Sequence, residues 1–253
     1  MSFVDLKEAL LDWPYDSDKI SVRKIRGADG LIKIQQRVEL GIVQMFAEGR
    51  PDGGRPFGHD TLLDHHRARL AEYEDRNGTV VGFGLSAEEC RQLREEASQY
   101  YRRYVAYFVL EDYDRVIEDT QHNLNLLDFV RDHALDPEDA RRLEVFRPYV
   151  VMMNARAQAH LALREGHANS ALAHVNRGLI TIREIYDERG EPEAYERSEE
   201  VRILRNMRAK LASDLPAQPR SNLREKLRRA IEDERFEEAA RLRDEIDGMP
   251  DQD

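Results

Sequence analysis

The sequence predicts a mainly α protein: an N-terminal region with a β-hairpin, a central array of antiparallel helical hairpins, and a two-helix hairpin near the C-terminus. Three observations predict it. Strand-period alternation is confined to residues 20–46, residues 86–213 read as helix between short breaks, and the proline-bearing stretch Ser213–Arg220 sets off a charged helical segment. The expected boundaries are 1–85, 86–213, a linker at 214–220, and 221–247. A composition of 35% charged and 41% apolar residues suits a soluble, helix-rich chain.

The elements follow in order. Phe3, Leu6, Ala9, Leu10 and Leu11 form an amphipathic stretch that ends at Trp13-Pro14, since proline cannot continue a helix. Ile20, Val22 and Ile25 alternate with polar residues, and Gly27-Ala28-Asp29-Gly30 makes a turn. Beyond it Ile34, Val38, Leu40 and Ile42 share one parity, broken by Gln36, which predicts a long second strand over 31–46. A helix over 31–46 is the alternative reading. Gly49–Gly58 is a glycine- and proline-rich loop. Asp60 or Thr61 then caps a helix to about Asn77 carrying Leu62, Leu63, Leu70 and Tyr73. Ser86 caps the next helix, with Glu88 and Glu89 in a first turn whose unpaired amides favour negative charge. Further breaks are expected near Glu111-Asp112, His133 to Pro137, Glu165 to His167, and Glu188 to Pro192. Asp136-Pro137 is a helix start, where the missing amide of proline costs nothing.

Charge and cysteine content exclude several function classes. Acidic residues outnumber basic ones by 50 to 39, a net charge of -11, which disfavours coating duplex DNA or an anionic membrane. A single cysteine, Cys90, excludes an intrachain disulfide and a multi-cysteine zinc site. There is no signal-peptide succession and no apolar run approaching ~18 residues, so a cytoplasmic location is expected.

The segment Asn154–Leu179 resembles a tetratricopeptide repeat: Ala159 and Ala171 at close-approach positions, Gly166 in the turn, Gly178 at the next small position. Tyr100–Leu127 follows the outline less well, with Tyr113 and Val116 in place but Glu111 at the turn glycine. The turns at 111 and 166 lie 55 positions apart, against the ~34 of such repeats. The resemblance implies stacked hairpins with a groove for peptides or proteins. A plain helical bundle is the alternative.

In the last segment Leu223, Leu227, Ala230 and Ile231 fall at i, i+4, i+7 and i+8, on one helical face. Phe236, Ala239, Ala240, Arg243 and Ile246 form a second face, and Asp233-Glu234-Arg235 interrupts the register between them. The order resembles the UVR motif through Leu227, Ala230-Ile231, Phe236-Glu237, Ala239-Ala240, Arg243-Asp244 and Ile246. That hairpin occurs at the C-terminus of UvrB, the helicase-fold excinuclease protein, and within UvrC, its nuclease counterpart. It also occurs in Clp ATPases and in bacterial arginine-kinase activators. In the family it is a protein–protein contact module, which implies a protein-binding role for Leu223, Leu227, Ala230, Ile231, Phe236, Ala239, Ala240, Arg243, Asp244 and Ile246. Two helices of fewer than ~40 residues rarely bury enough surface to stand alone, so their apolar faces must find cover. Residues 221–231 carry a net +3 and residues 232–247 a net -5, which suits an antiparallel partner hairpin. The resemblance stops there: the chain has no phosphate-binding loop of the helicase-fold protein and no paired Cys-x2-Cys site of the kinase activators.

Chemistry-bearing clusters are few. His59, Asp60, Asp64, His65 and His66 are metal-like in density, although helix starts carry such residues as caps. The two arginines of the 50–58 loop suggest phosphate binding, or simply a tight turn. Tyr100, Tyr101, Tyr104, Tyr107, Phe108 and Tyr113 are read as core with a wet rim rather than a base-stacking platform, and Met152 and Met153 as core filler. Cys90 sits in the first turns of a helix, where a thiolate is favoured, but no His and acid accompany it. No catalytic residue, metal site or cofactor is assigned. The expected function is a non-enzymatic cytosolic adaptor that binds protein partners, another UVR-type hairpin or a second copy among them, without contacting nucleic acid directly. The alternatives are an accessory factor of nucleotide excision repair, and an enzyme with its site near Arg50, Arg55 and His59.

Overall fold

A computed structural model describes residues 6–214, 223, 227–228, 230–231 and 235–247. The expected linker beyond Asp214, residue Phe3 and the tail at 250–253 lie outside the described residues. The chain forms two compact units, Met1–Arg205 and Asn206–Asp253.

The first unit begins with a one-turn helix α1 (Lys7–Leu10) and an antiparallel sheet of β1 (Val22–Arg26), β2 (Ile32–Val38) and β3 (Gly41–Phe46), in that order. The expected long second strand is therefore two strands. Val38 pairs with Gly41, leaving Glu39-Leu40 as a two-residue turn. The Arg37 guanidinium clamps that turn by donating to the carbonyls of Val38 and Gly41. Shared parity across 34–42 was misleading because the turn reverses it: Ile34 sits opposite Met45, and these two are buried while Leu40 faces water. Neither Glu nor Leu is a residue that marks a tight hairpin turn.

Helix α2 (Leu62–Asn77) is capped by Thr61, whose hydroxyl accepts from the Asp64 amide at 3.0 Å. α3 (Ala87–Val109) opens with a capping box, Ser86 bonding the Glu89 amide and Glu89 the Ser86 amide. α4 (Tyr113–His133), α5 (Pro137–Glu144), α6 (Arg147–Arg164), α7 (Ala168–Glu188) and α8 (Pro192–Arg197) follow, and α9 (Glu199–Asp214) begins in the first unit and ends in the second. α3 packs on α4, α4 on α6, and α6 on α7, the succession of stacked antiparallel hairpins. The four expected breaks are present; two more, after Glu144 and at Ser198, set off α5 and α8 as short helices.

The small residues of the repeat-like segment have steric duties. Ala159 and Ala171 are fully buried, and a Cβ on Gly178 would fall 2.7 Å from the Ala155 Cβ. α6 and α7 thus touch where no side chain fits. Gly166 turns the chain with φ +82°, and in the earlier hairpin Glu111 adopts the same left-handed region at φ 57° despite its Cβ. The two turns are equivalent in conformation although their residues differ.

Two buried charged residues of α3 tie the N-terminal region to the array. Arg103 grips Asp119 of α4 through two bonds of 2.8 and 2.7 Å, and donates to the carbonyls of Phe46 and Gly49 at 3.0 and 2.6 Å. Two turns earlier, fully buried Glu96 accepts the free amides of Leu62 and Leu63 at 2.7 and 3.1 Å, with Arg50 Nε 3.2 Å away. A carboxylate at the first turn of α2 completes its orphan donors and meets the positive end of its dipole.

Replacing Asp119 by Ala leaves Arg103 charged and buried, and should lower unfolding free energy by about 3–5 kcal/mol in denaturant titration. Gly178→Val should cost about 1–3 kcal/mol through overpacking at the α6–α7 crossing; unchanged denaturation midpoints would contradict both assignments.

Candidate protein-interaction hairpin

In the second unit, residues 223, 227, 228, 230 and 231 are helical, and α10 (Phe236–Asp247) follows. The Arg235 amide bonds back to the Ala230 carbonyl at 2.7 Å, closing the first helix, and the Arg235 carbonyl accepts the Ala239 amide as α10 begins. Asp233 and Glu234, expected to break the register, lie outside the described residues; Arg235 is non-helical as expected.

The two helices cover each other. Leu223, Ala230, Ala239 and Leu242 form one buried cluster with Leu227 partly buried against it. Ala230 is fully buried and Ala239 nearly so, which is where a small side chain lets helices approach. Leu242 was not among the expected residues, although its place three positions after Ala239 puts it on the same helical face.

The remaining expected residues divide from these. Ile231 and Phe236 flank the turn and are 53% and 68% exposed. Ala240, Arg243 and Asp244 also face solvent, with Arg243 Nε 3.9 Å from Asp244. Phe236, although three positions before Ala239 on the same helix, is therefore left uncovered where Ala239 is buried. The reason is its position at the first residue of α10, beside the turn. The side chain of Ile246 lies outside the described set.

The other candidate clusters are consumed by the fold. Asp60 pairs with Arg55 at 2.7 Å, Asp64 accepts the Thr61 hydroxyl, and His65 stacks on Phe57 at 4.2 Å between centroids. His66 is buried against Arg69, and burial holds its imidazole down to about 4, so it is neutral near pH 7. Among the described residues no group of three or more His, Cys, Asp or Glu side chains is placed to hold a metal. Arg50 faces Glu96 and Asp52, so neither loop arginine lacks a carboxylate partner. Tyr100, Tyr104 and Tyr107 are core, whereas Tyr101 is 44% exposed. Met152 and Met153 are buried as filler. Cys90 corrects the thiolate expectation: it is fully buried and desolvation pushes its thiol up to about 11. Among the described residues no helix is long and apolar enough to cross a membrane.

Comparison with protein families places the UVR motif, the UvrB/uvrC motif, at residues 220–248. No curated protein and no solved structure matches the chain.

At pH 8, a thiol reagent such as DTNB should label native Cys90 orders of magnitude more slowly than the denatured chain, because the thiolate is the reacting form and it is shielded. Prompt stoichiometric labelling of native protein would contradict its burial.

Proposed function

We propose that the chain is a non-enzymatic adaptor whose UVR hairpin is gripped at its turn by another protein, with a second UVR hairpin, in another chain or another copy, as the fitting partner. The observation that carries this reading is the pair Ile231 and Phe236. The hairpin spends its inner face on its own helices, yet leaves two large apolar side chains in water beside one turn. Covering each would contribute on the order of 1.5–3 kcal/mol. The basic first helix and acidic second helix supply register, since an antiparallel partner of the same kind sets opposite charges face to face. The stacked helical array supplies a second binding surface.

The test separates fold from contact. Sedimentation of the full chain mixed with a protein bearing another UVR hairpin should show a joint species. Ile231→Asp with Phe236→Asp should weaken it at least about tenfold while leaving amide-exchange protection of α10 intact. Leu242→Asp should abolish both, because it places a charge in the hairpin's own core. Equal association of wild type and the Ile231–Phe236 variant would refute the reading.

A second reading is favoured by the motif's own name: recruitment to excinuclease proteins as an accessory factor of repair. It predicts that the joint species forms with the UVR hairpin of an excinuclease protein in preference to others. Direct DNA contact is not part of it, and salt-dependent DNA binding by this acidic chain would argue for a different role.

A further inference from the structure

The three-stranded sheet leaves β1 at an edge. Which of its backbone groups face outward follows from the ladder. The Arg37 amide donates to the Ser21 carbonyl and the Gly27 amide to the Leu31 carbonyl, so the odd-numbered positions along β1 bond to β2. The N–H and C=O groups of Val22, Lys24 and Arg26 therefore point away from the sheet, and among the described residues nothing bonds them. The opposite edge is closed at the end of β3: the Phe46 amide donates to the Pro51 carbonyl at 2.8 Å, and its carbonyl accepts from Arg103 at 3.0 Å.

The open edge is also basic. Three of the five β1 residues carry positive charge and none is acidic, in a chain of net charge -11. Lys24 and Arg26 lie on one face of the strand, Arg23 and Ile25 on the other. Arg26 donates to the Gly30 carbonyl at 2.7 Å and Arg23 to the Gln35 amide oxygen at 2.8 Å, and among the described residues neither meets a carboxylate. Lys24 lies 2.5 Å from Asp112, with its side chain still 45% exposed. Unpaired edge groups are a template for another strand, and the charge beside them decides which strand fits. A second β1 is disfavoured, because it would set basic side chains directly opposite one another. A strand with acidic residues opposite Lys24 and Arg26, and an apolar residue between them on the Ile25 face, matches both the charges and the backbone groups.

We propose that β1 is a docking edge for an extended acidic segment of a partner protein, which adds antiparallel to it as a fourth strand. The proposal is independent of the hairpin's role.

The probe is a capped peptide of alternating glutamate and valine, six residues long, added to the full chain while backbone amides are followed by NMR. In the chain alone the amides of Val22, Lys24 and Arg26 should exchange quickly and those of Arg23 and Ile25 slowly. Saturating peptide should slow the first three at least about tenfold. The same peptide N-methylated at its glutamates keeps its charge but loses the inward donors, and should bind at least about tenfold more weakly. Arg26→Glu should weaken the glutamate peptide and strengthen one with lysine in place of glutamate, with slow exchange at Arg23 and Ile25 showing that the sheet is kept. No peptide-dependent slowing at Val22, Lys24 and Arg26, equal affinity of the N-methylated peptide, or unchanged preference in Arg26→Glu would overturn the proposal. Slowing of the same amides as the chain alone is concentrated would assign the edge to a second copy and overturn it as well.

Discussion

The first unit depends on two charges buried on one helix. Glu96 and Arg103 carry the buried charged ties from the β3 loop and α2 to the helical array, whereas pairs such as Lys24 with Asp112 and Arg115 with Glu48 run over the surface. Both buried side chains are fully committed: Arg103 forks onto Asp119 and reaches two backbone carbonyls, and Glu96 takes the first two free amides of α2. Hydrogen bonds to charged groups are stronger and more directional than apolar contacts, so they fix where the loop after β3 and the start of α2 must sit. The same commitment disposes of the loop as a chemical site. Arg50 lies against Glu96 and Arg55 against Asp60, so the guanidinium groups that could have met a phosphate already have carboxylates.

The second unit shows the reverse economy. Among the described residues the hairpin's buried cluster is two leucines and two alanines with Leu227 at the edge, which is little apolar area for a folded hairpin. Small residues compensate by allowing the helices to come close, and the closeness leaves no room at the inner face for anything else. Whatever this hairpin meets must therefore meet it from outside. Among the described residues, the large apolar side chains it presents there are Ile231 and Phe236, both at the turn.

Much of this was legible in the sequence because caps and breaks are local. Ser86 with Glu89, Thr61, and Asp136 before Pro137 act within a turn of helix, and each helix starts where those residues place it. The split of the 31–46 stretch was not legible, since the turn at Glu39-Leu40 is held by the side chain of Arg37 rather than by turn-forming residues. Glu96 and Arg103 were equally hidden. They occupy positions on α3 that periodicity gives to apolar residues, and their partners lie 16 to 57 residues away in sequence. The ten residues expected to bind protein were found by motif and spacing, which cannot separate a residue that makes the hairpin from one that the hairpin displays.

That separation changes what the motif match at 220–248 means. Ala230 and Ala239 match because the hairpin must close, and they would be required in any hairpin of this shape whatever it bound. Ile231 and Phe236 have no such duty: their exposure adds nothing to closure, and apolar side chains in water favour aggregation as readily as recognition. The proposed contact would give these two exposed side chains the cover that the hairpin does not. The motif is therefore two sets of residues with different physical causes, and the proposed partner rests on the smaller set, at the turn.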